Sequence, residues 1–364
     1  MGTLFMVFPL PKNLDLKNYQ ISLRFLASAY FLLAILNTIL LFDDFVYNKP
    51  EYFNFTWLLL SSLQALLFTY TLIILFDTQF AIRKHIKRNL LPILIFFSAY
   101  IVSVLFSGDC VMSEIGNFEQ CIRNPAFIIR LMFFIFYLFQ LIFYTYIFLK
   151  EEALYVKKIN EYFSDTTKLR LKWIRYAFFS ALLIGLSALF YQVFPSKTYN
   201  ILFTFSLIVF YFVFSIKYIN YNKLFAIIQP VVSDAEIKQN FKIEYNRSKS
   251  LWKGYKSTII SEKIYLREGI TLDETAQLLK IGRTTLSGLI NSEENVNFNT
   301  WINQLRIEEA KILFSENPVF PIIKVAEMTG FSEHSNFSRQ FKLITGESPS
   351  VWRKKMQHKF VVLQ

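Results

Sequence analysis

The chain is poor in the residue types that soluble enzymes use for chemistry. Among 364 residues there are 3 His and 2 Cys, and His85, His334 and His358 stand too far from one another and from the cysteines to give a metal-ligand spacing. Glycine is sparse at 10; no glycine-rich loop is placed to cradle a phosphate, and no nucleophile has a neighbouring base. An enzyme, a bound metal and an organic cofactor are therefore not expected. Charge is scarce as well, with Asp, Glu, Lys and Arg at 18% against about 25% in a globular domain.

What fills the chain instead is apolar: 54% hydrophobic and 18% aromatic residues are too many for an ordinary soluble protein of this length. Runs near the roughly 20 residues needed to cross a bilayer fall at about 22–42, 56–77, 90–107, 127–149, 174–194 and 200–217. A shorter run, 4–10, is cut off by Pro9 and Pro11 and reads as an interfacial lead-in or as part of an incomplete further span. It lacks the preceding basic stretch and following cleavage site of a secretory signal.

Basic residues are retained on the cytoplasmic side of a membrane, so the connections give the orientation. Arg83, Lys84, Lys87 and Arg88 follow the second run, and Lys150, Lys157, Lys158, Lys168, Arg170, Lys172 and Arg175 follow the fourth, eleven in all. The other three connections hold Lys49, Arg123 and Lys197, with Asp43, Asp44, Glu51, Asp109, Glu114 and Glu119 beside the first two of these. Both termini are thus expected in the cytoplasm of a bacterial cell, with the chain passing several times through the inner membrane.

Cys110 and Cys121 both fall in the third connection, on the outer, oxidising side, where they form either a disulfide closing an external hairpin or two separate thiols. Arg130 is the exceptional charge, about one turn inside the fourth run. It either snorkels to the interface or captures an anionic ligand, which makes it a candidate signal-ligand residue.

The net charge of +12 divides unevenly: residues 218–364 carry 20 Lys and Arg against 15 Asp and Glu, so the remaining +7 lies in the apolar half. Charge alone does not identify the partner of the tail, and its patterning must. Leu272, Ala276 and Leu279 recur at helical spacing, Ile281-Gly282 supplies a turn, and a second helix, about 283–292, buries Leu286, Leu289 and Ile290 while Arg283, Thr284, Thr285, Ser287 and Gly288 face away. Alone, this unit is equally an ordinary helical hairpin. The pattern returns some fifty residues later. Ile322, Val325 and Ala326 line a scaffold helix, Thr329-Gly330 turns, Phe331 plugs the core, and Ser332 is placed to cap a helix with Phe337, Phe341 and Ile344 inward. His334, Ser335, Asn336, Ser338, Arg339 and Lys342 face outward, a mixture suited to base edges and phosphates. A helix over 299–315 joins the units, and Ser348-Pro349 opens a last helix with Trp352 inward and Arg353, Lys354 and Lys355 outward.

These residues resemble the DNA-binding domain of the AraC/XylS family of bacterial transcription regulators. Ile302-Asn303-Gln304-Leu305-Arg306-Ile307-Glu308-Glu309-Ala310 is similar to the family's linker-helix pattern. Gly330-Phe331-Ser332, the run Phe337 to Lys342, and Gly346-Glu347-Ser348-Pro349 are similar to its second-unit signature. The resemblance covers roughly the last hundred residues. It implies a double helix-turn-helix fold that reads DNA through Thr284, Thr285 and Ser287 and through His334, Ser335, Ser338 and Arg339. Gly282 and Gly288 depart from the capping Ser and the long base-reading side chain common in the family. Arg306 and Arg339 also have a structural role open to them, as partners of buried carboxylates or carbonyls.

The expected architecture is all-α: a transmembrane domain of six helices over 1–217, a cytoplasmic linker over 218–256, in which Pro230 breaks an apolar stretch and which transmits changes in the spans, and a seven-helix double helix-turn-helix DNA-binding domain over 257–364. The expected function is a membrane-embedded, one-component transcription regulator with double-stranded DNA, membrane lipid, a second copy of itself and a signal ligand or protein as partners. The alternative is a small-solute transporter or membrane receptor whose tail binds a protein.

Overall fold

A computed structural model of the protein describes residues 2–7, 16–46, 51–76, 85–166, 169, 171–233 and 250–362. Lys49, Arg83, Lys84, Lys168, Arg170 and the linker segment 234–249 lie outside the described residues. The chain forms two compact units. The first comprises Met1–Tyr155 and Leu171–Ser233, the second Val156–Arg170 and Asp234–Gln364. Among the described residues the regular structure is helical, apart from one isolated antiparallel bridge between Phe163 and Thr271.

The first unit contains α1 (Gly2–Val7), α2 (Lys17–Val46), α3 (Phe55–Ile73), α4 (Ile86–Ser107), α5 (Phe118–Cys121), α6 (Pro125–Tyr162, whose last turns belong to the second unit), α7 (Lys172–Val193), α8 (Lys197–Asn220) and α9 (Asn222–Ser233). By length and composition five of these, α3, α4, α6, α7 and α8, are able to cross a membrane. The first expected run lies in α2, where the described apolar stretch is Tyr19–Ile35. The 4–10 run begins in α1, where Phe5 is buried with its ring 5.5 Å from that of Tyr30. Pro230 does not end the linker's apolar stretch, since α9 continues through it to Ser233.

Several polar side chains buried in this apolar unit pair with one another, which offsets the cost of burying them. Ser62 donates to Gln140 at 2.6 Å, Gln140 to Tyr144 at 2.9 Å, and Gln64 to Tyr211 at 2.7 Å. The outer surface is the reverse of a soluble protein's. Of the 22 residues of α4 only Ile93 is buried, while Leu94, Ile95, Val102, Leu105 and Phe106 stand exposed.

Arg130 neither snorkels nor offers a bare charge. It is buried, 2% exposed, and its guanidinium pairs with Glu51 and Asp109 and donates to Tyr100 Oη at 3.0 Å. Glu51, Asp109 and Tyr100 already occupy the guanidinium, so the expectation that Arg130 captures an anion is corrected. The cause is the approach of residues 51 and 109, both distant from 130 in sequence. Burial raises the Glu51 carboxyl, with Arg130 pulling the other way. Beside this cluster Cys110 and Cys121 form a disulfide with Cα atoms 5.4 Å apart. The loop it closes packs Met112, Cys121 and Phe127 together.

The second unit contains α10 (Trp252–Ser261), α11 (Leu272–Leu278), α12 (Arg283–Leu289), α13 (Phe298–Glu316), α14 (Ile322–Met328), α15 (His334–Thr345) and α16 (Pro349–Val362). It has two cores. Trp252, Leu286, Leu289, Trp301 and Ile302 belong to one, and Phe314, Val325, Ala326, Phe337 and Phe341 to the other. α13 supplies both: its first half carries Trp301 and Ile302, and its second half carries Ile307, Ala310 and Phe314. Asn297 starts it by accepting the Thr300 N–H at 3.0 Å.

Candidate nucleic-acid interface

Each small helical unit holds its outer helix by a short, locally specified turn. In the first, Thr271 and Glu274 cap α11 reciprocally: the Thr271 hydroxyl accepts the Glu274 N–H at 3.2 Å, and the Glu274 carboxylate accepts the Thr271 N–H at 2.8 Å. The left-handed residue of the turn is Lys280, with φ 56°, whereas Gly282, with φ −68°, is the N-cap of α12. α12 is shorter than the sequence suggests, because the backbone widens into a π-helical turn over Ile290–Glu294 and ends at Asn295 with φ 55°. Leu286, Leu289 and Ile290 are buried as expected. Arg283, Thr284 and Ser287 are half-buried at the surface. Thr285 is fully buried, correcting its assignment to the DNA face: it lies one helical turn before Leu289, on the inward side.

In the second unit Gly330 makes the turn at φ +78°, with a Cβ at that position falling 2.3 Å from the Leu266 carbonyl oxygen. Only glycine fits there. α15 starts at His334 after an extended Glu333, so Ser332 is not its cap; the Ser332 hydroxyl donates to Asp165 instead. Phe337 and Phe341 are buried, and His334, Ser335, Arg339 and Lys342 are exposed with Ser338 beside them. Asn336 is the second correction. It is buried, because its amide donates to Asp165 at 3.1 Å and its carbonyl accepts from Arg339 at 2.8 Å.

α13 is about 28 Å long at 1.5 Å per residue, close to the roughly 34 Å repeat of a DNA groove when its flanking turns are added. Arg306, on this helix, is structural. Fully buried, it donates to the carbonyls of Tyr265 at 2.7 Å and Arg267 at 2.8 Å, and lies 5.4 Å from the centre of the Phe331 ring. Burial lowers its guanidinium to about 10, opposed by Asp165 and Glu268. On α16, Ser348 accepts the Val351 N–H and Pro349 is the first residue, as a helix start requires. Arg353 turns back to the Phe320 carbonyl at 3.2 Å, leaving Lys354 and Lys355 exposed.

One group of contacting residues carries no sequence signal. Tyr162, Phe163, Ser164 and Asp165, more than a hundred residues before α12, pack within this unit against Arg283, Thr271, Asn299 and Ser332.

Residues 275–355 match the family model of a helix-turn-helix domain. The chain is 36% identical over 78 residues to the arabinose operon regulatory protein of Escherichia coli, which covers 21% of this chain and 26% of that protein. It is 30% identical over 89 residues to the Msm operon regulatory protein of Streptococcus mutans, covering 24% and 32% respectively. With the raffinose operon transcriptional regulatory protein of Pediococcus pentosaceus it shares 33% over 96 residues, covering 25% and 34%. The chain thus spans about a quarter to a third of the length of these relatives. A solved structure, the C-terminal domain of AraT, a response regulator from Geobacillus stearothermophilus, aligns with 32% of this chain and 88% of its own at 24% identity and a TM-score of 0.25.

Proposed function

From a carboxyl-terminal domain of the AraC helix-turn-helix type, we propose that the protein is a membrane-embedded transcription regulator. The second unit binds promoter DNA through α12 and α15, and the first unit anchors it in a bacterial inner membrane and receives the signal. The observation that carries the DNA-binding half is the repeated turn-and-helix pair around α13, with Arg283, Thr284 and Ser287 presented by one outer helix and His334, Ser335, Ser338, Arg339 and Lys342 by the other. The membrane half is supported by the five long apolar helices and by the uncovered apolar surface of α4, which in water would be a large exposed patch. The signal acts from the outside or from the lipid, and two copies of the chain act together on one promoter.

The test is reporter expression from the target promoter combined with cell fractionation. Arg339→Ala is expected to weaken regulation by about five- to 150-fold while the protein remains in the membrane fraction, since a bidentate base contact is worth about 1–3 kcal/mol. Normal regulation by this variant removes Arg339 from the DNA face.

A further inference from the structure

The segment Val156–Arg170, which comprises the last turns of α6 and the start of the connection to α7, belongs to the second unit. Tyr162, the last residue of α6, places its ring 6.0 Å from the guanidinium carbon of Arg283, the first residue of α12. Phe163 pairs with Thr271, and the Ser164 N–H donates to the Ile270 carbonyl at 3.2 Å. The Asn299 amide donates to the carbonyls of Phe163 at 3.0 Å and Ser164 at 2.7 Å. Asp165 then reaches the other helical unit, where its carboxylate accepts from the Ser332 hydroxyl and the Asn336 amide. Asn336 in turn accepts from Arg339.

The groups held in this way have the chemistry of a backbone contact to DNA. A hydroxyl, a side-chain amide and nearby guanidinium groups are what phosphate oxygens accept from. Asp165 puts an anionic oxygen on the hydroxyl and amide donors, and Tyr162 covers the flank of Arg283. An incoming phosphate meets occupied donors and a like charge. We propose that Tyr162–Asp165 is an intramolecular mask in which Asp165 stands in for a DNA phosphate, so that this segment and duplex DNA compete for one surface. The proposal rests on the second unit being a DNA reader. It also supplies a covalent route for the signal, since α6 runs without a break from Pro125, past Arg130, to Tyr162.

The test uses the full-length chain in lipid nanodiscs and a fluorescein-labelled mixed-sequence duplex at roughly 50 mM salt, where phosphate contacts dominate affinity. Asp165→Ala is expected to tighten duplex binding about tenfold, and Tyr162→Ala to tighten it in the same direction. In the unmodified protein, saturating duplex should speed amide hydrogen exchange at Ser164, whose N–H bond to Ile270 is lost on unmasking. This second measurement does not depend on the fold of a variant. Equal affinity of the unmodified and Asp165→Ala proteins, with no change in Ser164 exchange, overturns the mask and leaves the DNA reader standing. Weaker binding by Asp165→Ala makes the segment a brace and also overturns it. Absence of binding by both proteins overturns the DNA reader and the mask with it.

Discussion

Single residues divide here into those fixed by packing and those left free for a partner. Gly330 is of the first kind, since its positive φ and the Leu266 carbonyl both exclude a side chain. Gly330→Ala is expected to destabilise the second unit by about 2–4 kcal/mol, combining backbone strain with displacement of a neighbouring strand of chain. Thermal unfolding followed by hydrogen exchange of residues in α13–α15 measures it, and unchanged protection would contradict the tight fit. Arg306 is also of the first kind. Arg306→Met leaves the Tyr265 and Arg267 carbonyls without their buried donor and should cost about 2–4 kcal/mol in the same assay, with DNA affinity per folded molecule unchanged. A loss of affinity without a loss of stability would place Arg306 on DNA instead. Its alternatives were legible in the sequence as alternatives only, because helical spacing reports a face and not what that face meets. Thr285 and Asn336 show the same restriction. Both sit beside the inward stripe of their helices, at angles where a neighbour decides whether the residue is covered, and for Asn336 that neighbour is Asp165.

At the scale of elements, local chemistry was the readable part. The α13 helix, the Gly330 turn and the Ser348-Pro349 start each depend on residues within a few positions, and the structure forms all three where the sequence places them. The π-helical turn after α12 was not readable, since helical spacing does not report a change of helix type; its first residue, Ile290, is buried in the core and it ends at left-handed Asn295. The reciprocal cap of α11 gives a sharper expectation at this scale. Thr271→Ala removes the hydroxyl half of the cap and leaves the backbone N–H bond to Glu274, and should cost about 1 kcal/mol, seen as faster exchange in α11 with little change in α15. Uniform loosening of both helical units would contradict a cap whose effect is local to α11. In the first unit, the short loop between α4 and α6 is tied by the Cys110–Cys121 bond. Cys110→Ser with Cys121→Ser is expected to loosen that loop by up to about 3 kcal/mol of lost restraint, read as increased protease cutting within 108–124 on the outer side. Cutting from the inner side would reverse the orientation.

For the whole molecule, the long apolar helices and the carboxyl-terminal helix-turn-helix pattern were visible from composition and spacing, because both signals repeat many times along the chain. The engagement of residues 162–165 with the tail was invisible, as it joins positions separated by more than a hundred residues through hydrogen bonds that no periodicity records. Sequence assigned signal transmission to the linker after α8, and the mask gives a second covalent route through α6. The account therefore stands on one joint property, that a chain held by a bilayer reads duplex DNA with its carboxyl-terminal unit. The direct measurement is to reconstitute the full-length protein in nanodiscs, incubate it with sheared DNA of the source genome, and sequence what is retained. The account predicts that a small set of promoter fragments is enriched, that the enrichment disappears with Arg339→Ala, and that the protein resists alkaline extraction from native membranes. A protein that washes off the membrane, or one that stays in it and retains no DNA above background, would contradict it.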